Sequence, residues 1–282
     1  MSRAPVPSEL VDAFELIEEW PVGNVASVVV HRDGRRWSSG DIDRPFALAS
    51  VTKVLTAMAV MVAVEEGTVS LDQAAGPPRS TVAHLLAHAS GLAPDQRRLL
   101  TEPGRRRIYS NAGFEMVAEV VAENSAMEFS TYFDEGICEP LGLTNTRMAG
   151  SPAHGATASA NDIAAVAGEL LGVTSRVLAP QTITEMTQPA FVDLPGVLPG
   201  YGIQDPNSWG LGVEIRSTKS PHWTGAHNSP ATFGHFGRAG TFVWVDPEAT
   251  VACVVLTDRE FGEWAMTRWP AFSDAVLAQS TA

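Results

Sequence analysis

The stretch "FALASVTKVLTAMAVMVAVEEG" carries Lys53 inside a run of apolar residues, three positions after Ser50. The chain has only two lysines, Lys53 and Lys219, and arginine supplies nearly all its positive charge. On a helix, residues at i and i+3 share a face. Apolar neighbours disfavour a lysine's charged form, so its pKa falls toward neutrality and it can accept a proton. A neutral amine beside a serine hydroxyl converts that hydroxyl into a nucleophile. The positive end of a helix beginning at Ser50 favours the negative charge that then develops. The competing reading of the same residues is an N-cap serine followed by a lysine that snorkels to solvent.

Two further groups could join that chemistry. In "RRRIYSNAGFEM", Tyr109 is one of three tyrosines and Asn111 opens a helical pattern, so a phenol and an amide meet at a loop-to-helix junction. In "FGHFGRAGTFVWVDP", His235 and Gly237 precede a strong strand, where a glycine lets a ligand approach the backbone closely. His84 and His88 are spaced to share a helix face, but no Glu follows the first, so the metalloprotease pattern is absent and no metal is expected. Nor is there a Gly-x-Ser-x-Gly elbow, a P-loop or a dinucleotide glycine pattern, and no cofactor is expected. Trp209 reads as core or as the wall of a pocket.

The elements that must position these residues follow from local pattern. "VASVVVHRDGRRWSSG" reads as two strands turning at Asp33-Gly34. A helix from Ser50 to Gly67 comes next. Thr81–His88, Asn111–Glu123, Ser130–Cys138 and Asn161–Leu171 have helical spacing, the last opening on a capping-box-like Ser159 and Asp162. "LGVEI", "TFVWV" and "TVACVVLT" return to strands, and an amphipathic helix closes the chain from Phe261 to Ala278. Strands at both ends with helices between predict an α/β (α+β) fold with an antiparallel sheet drawn from both termini. The expected division is 1–75 with 205–282 as the sheet domain and 76–204 as a mainly helical insertion, with the site in the cleft between them.

Composition excludes several partners. A net charge of −13 argues against nucleic acid and against anionic membrane surfaces. The Arg105-Arg106-Arg107 cluster reads as a solvated loop. The longest apolar run, Val54 to Val64, is too short to span a bilayer, and the N-terminal segment reads as an acidic amphipathic helix with no signal peptide. Cys138 and Cys253 sit in apolar contexts and read as free buried thiols, so a cytoplasmic location is expected.

Ser50-Val51-Thr52-Lys53 and Tyr109-Ser110-Asn111, together with "TVAHLLAHASGL", "PLGLTNTRM" and "WVDPEATVACVVLTDR" in that order, resemble the serine β-lactamase and penicillin-binding-protein superfamily, in its class C-like branch with esterases and D-alanyl peptidases. The resemblance covers nearly the whole chain. It implies a β-lactamase/transpeptidase-like fold and an acyl-enzyme mechanism on a small-molecule ester or amide. In that mechanism Ser50 attacks the carbonyl, Lys53 and Tyr109 share the general-base duty, and Asn111 orients Lys53 and the substrate's acyl part. The backbone N–H groups of Ser50 and Arg238 would form the oxyanion hole. One departure matters: penicillin-recognising members carry Lys-Thr-Gly where this chain has His235-Phe236-Gly237. A mostly neutral histidine and a phenylalanine weaken carboxylate recognition, so an ester hydrolase is expected over a β-lactamase or D-alanyl peptidase. Outside the enzymes, the alternative is a catalytically silent binding module on the same fold.

Overall fold

The computed structural model describes residues 11–280. Helix α1 (Val11–Glu18) leads into the hairpin of β1 (Val25–His31) and β2 (Arg36–Gly40), and Gly34 at its turn has φ +93°. Strand β3 (Pro45–Ala47) then runs into a single 3-10 turn, Ala49–Val51, from which α2 (Thr52–Glu65) extends. Next come α3 (Val82–Leu86), α4 (Asn111–Ser125) and α5 (Phe129–Phe133), the last continued by a π-helical turn, Asp134–Cys138, into α6 (Glu139–Leu141). Short strands β4 (Arg147–Met148) and β5 (Ala156–Ser159) precede α7 (Ala160–Leu171) and α8 (Pro180–Thr187). A small hairpin, β6 (Gly196–Leu198) and β7 (Gly202–Gln204), follows. The chain ends with β8 (Glu214–Ile215), β9 (Phe233–Gly237), β10 (Thr241–Asp246), β11 (Val251–Thr257) and α9 (Glu263–Ser280).

The main sheet is six-stranded and antiparallel throughout, in the order β2-β1-β11-β10-β9-β8. Both ends of the chain therefore meet in its centre, with Val25 opposite Thr257. Period-2 alternation sends Val28, Val243 and Val254 to one face, where α7 and α2 pack, and Val29, Trp244 and Cys253 to the other, against α1 and α9. Both faces are covered, which explains why these strands read as nearly continuous apolar runs. Helix α7 lies within the 76–204 segment expected to form a helical insertion, yet it packs on β1, β10 and β11 of the sheet.

Local sequence accounts for most boundaries. The Ser159 hydroxyl accepts the Asp162 N–H at 3.2 Å and so caps α7. Asp162 does not return the bond as a capping box requires. Its carboxylate instead takes the N–H of Asn145 and the hydroxyl of Thr146, both at 2.8 Å. Cys138 and Cys253 are buried free thiols. His84 and His88 diverge: one contacts Thr81 through Nδ1, while the other accepts the Ser110 N–H at 3.1 Å.

The arginine cluster is not a uniformly solvated loop. Arg107 is buried, and its guanidinium donates to the carbonyls of Ala87 at 2.7 Å, Phe191 at 2.8 Å and Asn207 at 3.0 Å, and to that of Ala190. Burial pulls it down to about 10, so it stays charged at neutral pH. It thereby ties the loop before α4 to the β6–β7 hairpin region. Arg107→Leu is expected to leave these carbonyls without a donor and to cost roughly 3–5 kcal/mol of stability, read from denaturant unfolding. Arg107→Lys should restore only part, because an ammonium cannot reproduce the planar fork.

Candidate active site

Helix α2 is buried from Thr52 to Ala63, and the three polar residues in that stretch bond one segment, residues 152–156. The Ala156 N–H donates to Thr52 Oγ1 at 3.1 Å, Thr56 Oγ1 donates to the Pro152 carbonyl at 2.7 Å, and Lys53 Nζ donates to the Ala153 carbonyl at 2.8 Å. Lys53 is fully buried and also donates to Asn111 Oδ1 at 2.6 Å. Its ammonium lies 4.6 Å from the centre of the Tyr109 ring. Snorkelling is thus excluded. Desolvation lowers its pKa to about 7, against the opposing charges of Asp95 and Glu115.

Ser50 is not the N-cap of α2. It lies in the preceding 3-10 turn, and the cap position, Val51, makes no side-chain bond. The residue before it, Ala49, has φ +46°, a conformation costly for a residue with a Cβ. Tertiary bonds hold that turn: Thr241 Oγ1 donates to the Leu48 carbonyl at 2.8 Å, and the Leu48 N–H donates to that of Ala156 at 3.0 Å. Strand β9 also comes very close here. A Cβ on Gly237 would sit 2.3 Å from the Leu48 carbonyl oxygen, so only glycine allows this approach.

Ser110 fixes the Tyr109 and Asn111 pair. Its hydroxyl accepts the Gly113 N–H at 3.2 Å to cap α4 and donates to the Ala93 carbonyl at 2.8 Å. Asn111 Nδ2 donates to Asp95 at 2.7 Å, which leaves its Oδ1 turned to Lys53. Tyr109 is pushed well above the usual phenol range by burial, only partly offset by its hydrogen bond with Ser50. His235 Nδ1 bonds the Phe236 carbonyl at 2.7 Å, which places the proton there and leaves the Nε2 lone pair facing the Tyr109 hydroxyl at 3.4 Å. Desolvation, with Lys53 nearby, pushes His235 down to about 3, so it is neutral at physiological pH. Phe236 packs on Phe261, with ring centres 4.8 Å apart, and both residues line the same cavity as His235.

Ser50, Tyr109, Asn111, His235 and Arg238 all line one cavity of about 470 Å³. Arg238 stands exposed at its lip, 3.8 Å from Glu260. Strand alternation does not govern this side chain, because Arg238 lies past the end of β9. Trp209 is both core and cavity wall. Asp95, Glu214 and the hairpin residues Leu198, Pro199 and Gly200 also line the cavity and were not singled out from sequence. Glu214 anchors the second buried lysine, Lys219, and accepts from His222 at 2.9 Å. Burial opposes ionisation of Glu214, but His222 and Lys219 outweigh it and hold the carboxyl well below its usual range. The scarcity of lysine that marked Lys53 marked Lys219 equally.

The fold and the site together define a serine β-lactamase/transpeptidase-type α/β protein. The beta-lactamase family model matches residues 23–277, and the chain belongs to that family. It is similar to a β-lactamase of Mycobacterium bovis, with 53% identity over 96% of this chain and 100% of that one, at a TM-score of 0.93. The simvastatin synthase LovD of Aspergillus terreus shares the fold, at 17% identity over 98% of this chain and all of that one, with a TM-score of 0.81. Among curated relatives, the D-alanyl-D-alanine-carboxypeptidase/endopeptidase AmpH of Escherichia coli is 25% identical over 148 residues. That match spans 39% of this chain and 38% of the relative, well under half of its length. Among the described residues, no helix is long and apolar enough to cross a membrane.

If neutral Lys53 accepts the proton, activity must rise with pH through its pKa. The acidic limb of kcat/KM on an uncharged ester is expected to have a midpoint near 7. Asp95 favours the charged lysine, so Asp95→Asn should lower that pKa and move the limb to lower pH, as read from the two pH–rate profiles.

Proposed function

We propose that the protein is a serine hydrolase that cleaves carboxylic esters of small molecules through an acyl-Ser50 intermediate. The observation that carries this reading is a lysine near neutrality, sealed from solvent, in a cluster with Tyr109, Asn111 and the strained turn that presents Ser50. Ser50 Oγ attacks the ester carbonyl as its proton passes to the Lys53–Tyr109 pair. The opposite shifts of the two groups favour Lys53 as the acceptor, with the Tyr109 phenol relaying. Tyr109 then delivers the proton to the departing alcohol oxygen, and a water repeats the sequence on the acyl-enzyme. Asn111 holds Lys53 in place. The close approach of β9 at Gly237 supports an oxyanion hole built from the N–H groups of Ser50 and Arg238.

The preference for esters rests on β9. The strand offers a neutral His235 and an apolar Phe236 where a carboxylate would need a cation and a hydroxyl, and Arg238 supplies positive charge only at the exposed lip. A second reading, β-lactam hydrolysis, is favoured by the name borne by the 53%-identical relative. Turnover of any kind would set aside the silent binding module.

Two measurements test the proposal. A fluorophosphonate should label Ser50, and Ser50→Ala should lower p-nitrophenyl acetate hydrolysis by about three orders of magnitude at an unchanged melting temperature. Nitrocefin turnover equal to or faster than ester turnover at pH 7 would replace the ester reading with the second one. His235→Lys combined with Phe236→Thr should shift the activity ratio toward nitrocefin by about one to two powers of ten, the worth of a charge-assisted bond to a carboxylate.

A further inference from the structure

A second cavity of about 500 Å³ adjoins the catalytic one and shares Pro94, Tyr109 and Pro199 with it. Ser50, Asn111 and His235 line only the catalytic cavity, so Tyr109 stands at the boundary between the two. The walls of the second cavity are mostly apolar, formed by Leu100, Ile108 and Val197 with the two prolines, and Thr101 adds one hydroxyl. Leu100 is 46% exposed and Val197 48%, and Ile203, which pairs with Val197 across the β6–β7 hairpin, is 80% exposed. Large apolar side chains gathered in the open beside a reaction centre point to an occupant. The charged residues lining the cavity are Arg107, whose guanidinium is committed to carbonyls, and Arg106, exposed at the rim.

We infer that this cavity is the leaving-group subsite, and that it takes the apolar alcohol portion of the ester, a phenyl ring or an alkyl chain of about six carbons, at the size scale usual for small-molecule pockets. The inference rests on the acyl-enzyme reading above and extends it to a substrate class. Direction comes from Tyr109. In acylation the Ser50 Oγ–carbonyl carbon bond forms, the bond from that carbon to the alcohol oxygen breaks, and the serine's proton ends on the alcohol oxygen. The group that delivers this proton fixes the side on which the alcohol departs, and the cavity lies on Tyr109's side. The reverse step uses the same contacts: an alcohol seated there attacks acyl-Ser50, gives its proton back through Tyr109 to the serine oxygen, and forms a new ester.

The test compares two ester series on the intact protein. In acetates of alcohols from methyl to hexyl, kcat/KM should rise about two- to fourfold per methylene, as apolar burial gives. In ethyl esters from acetate to hexanoate it should rise much less. Leu100→Trp and Val197→Trp, both at exposed positions, should lower hexyl acetate turnover about tenfold and leave methyl acetate unchanged. Added 1-hexanol should divert methyl acetate turnover to hexyl acetate in the wild type, and less so in the two variants. A flat alcohol series, or variants that lower methyl and hexyl acetate alike, would overturn the subsite while leaving the esterase reading intact. An acyl series that rises instead, and that the tryptophans flatten, would overturn the assignment to the leaving group. Absence of both ester turnover and Ser50 labelling would overturn the parent reading and this one together.

Discussion

A single ammonium group held out of water sets the terms for the rest of the site. An unpaired charge in a low-dielectric interior costs several kcal/mol, so Lys53 has to be met by acceptors or lose its proton. Both responses are present. Asn111 and Ala153 supply the acceptors, and the group sits close enough to neutrality to exchange its proton. The demand propagates outward. Asn111 keeps its oxygen toward Lys53 because Asp95 holds its amide nitrogen, and the 152–156 segment is shaped to take Thr52, Lys53 and Thr56 along one side of α2.

The neutral third motif is consistent with that constraint. A second permanent cation at position 235 would repel the first and drive Lys53 further down. With His235 neutral, the cluster around Tyr109 contains one titrating cation, flanked by aromatic faces from Tyr109 and Phe114. Phe236, freed from any polar duty, becomes part of the aromatic layer under α9 with Phe261 and Trp269. Beside β9 the cavity therefore presents aromatic surface in place of a fixed cation.

What sequence made legible follows from the range of the forces involved. The β1–β2 hairpin, α4, α7, β10 and β11 were readable because turn chemistry, caps and periodicity are local. Lys53 stood out because a lysine is out of place in an apolar run, and Ser50, Tyr109 and Asn111 followed from their spacing and from a loop-to-helix junction. The 3-10 turn at Ser50 was not readable, since the strained Ala49 follows a Leu48 carbonyl that is held by Thr241, far along the chain. The burial of Arg107 escaped for the same reason: its acceptors are carbonyls of Ala87, Ala190, Phe191 and Asn207, none of which leaves a side-chain signature. The β6–β7 hairpin lies in "DLPGVLPGYGIQDPNSWG", whose prolines and glycines have the pattern of a loop, and with it went one wall of the cleft.

The pairing of β1 with β11 has a consequence for how the chain reaches this state. During synthesis β1 and the apolar helix α2 emerge long before the strand that closes over them exists. Val25 cannot meet Thr257 until everything between them has been made. Such non-local closure is slow and leaves an unsatisfied strand edge and a sticky helix exposed in the meantime. The central strand β11 follows every other strand of the sheet, so neither the cleft nor the Ser50 turn can be completed before it is made. Loss of that strand would remove the centre of the sheet and leave the β1 and β10 edges open to aggregation.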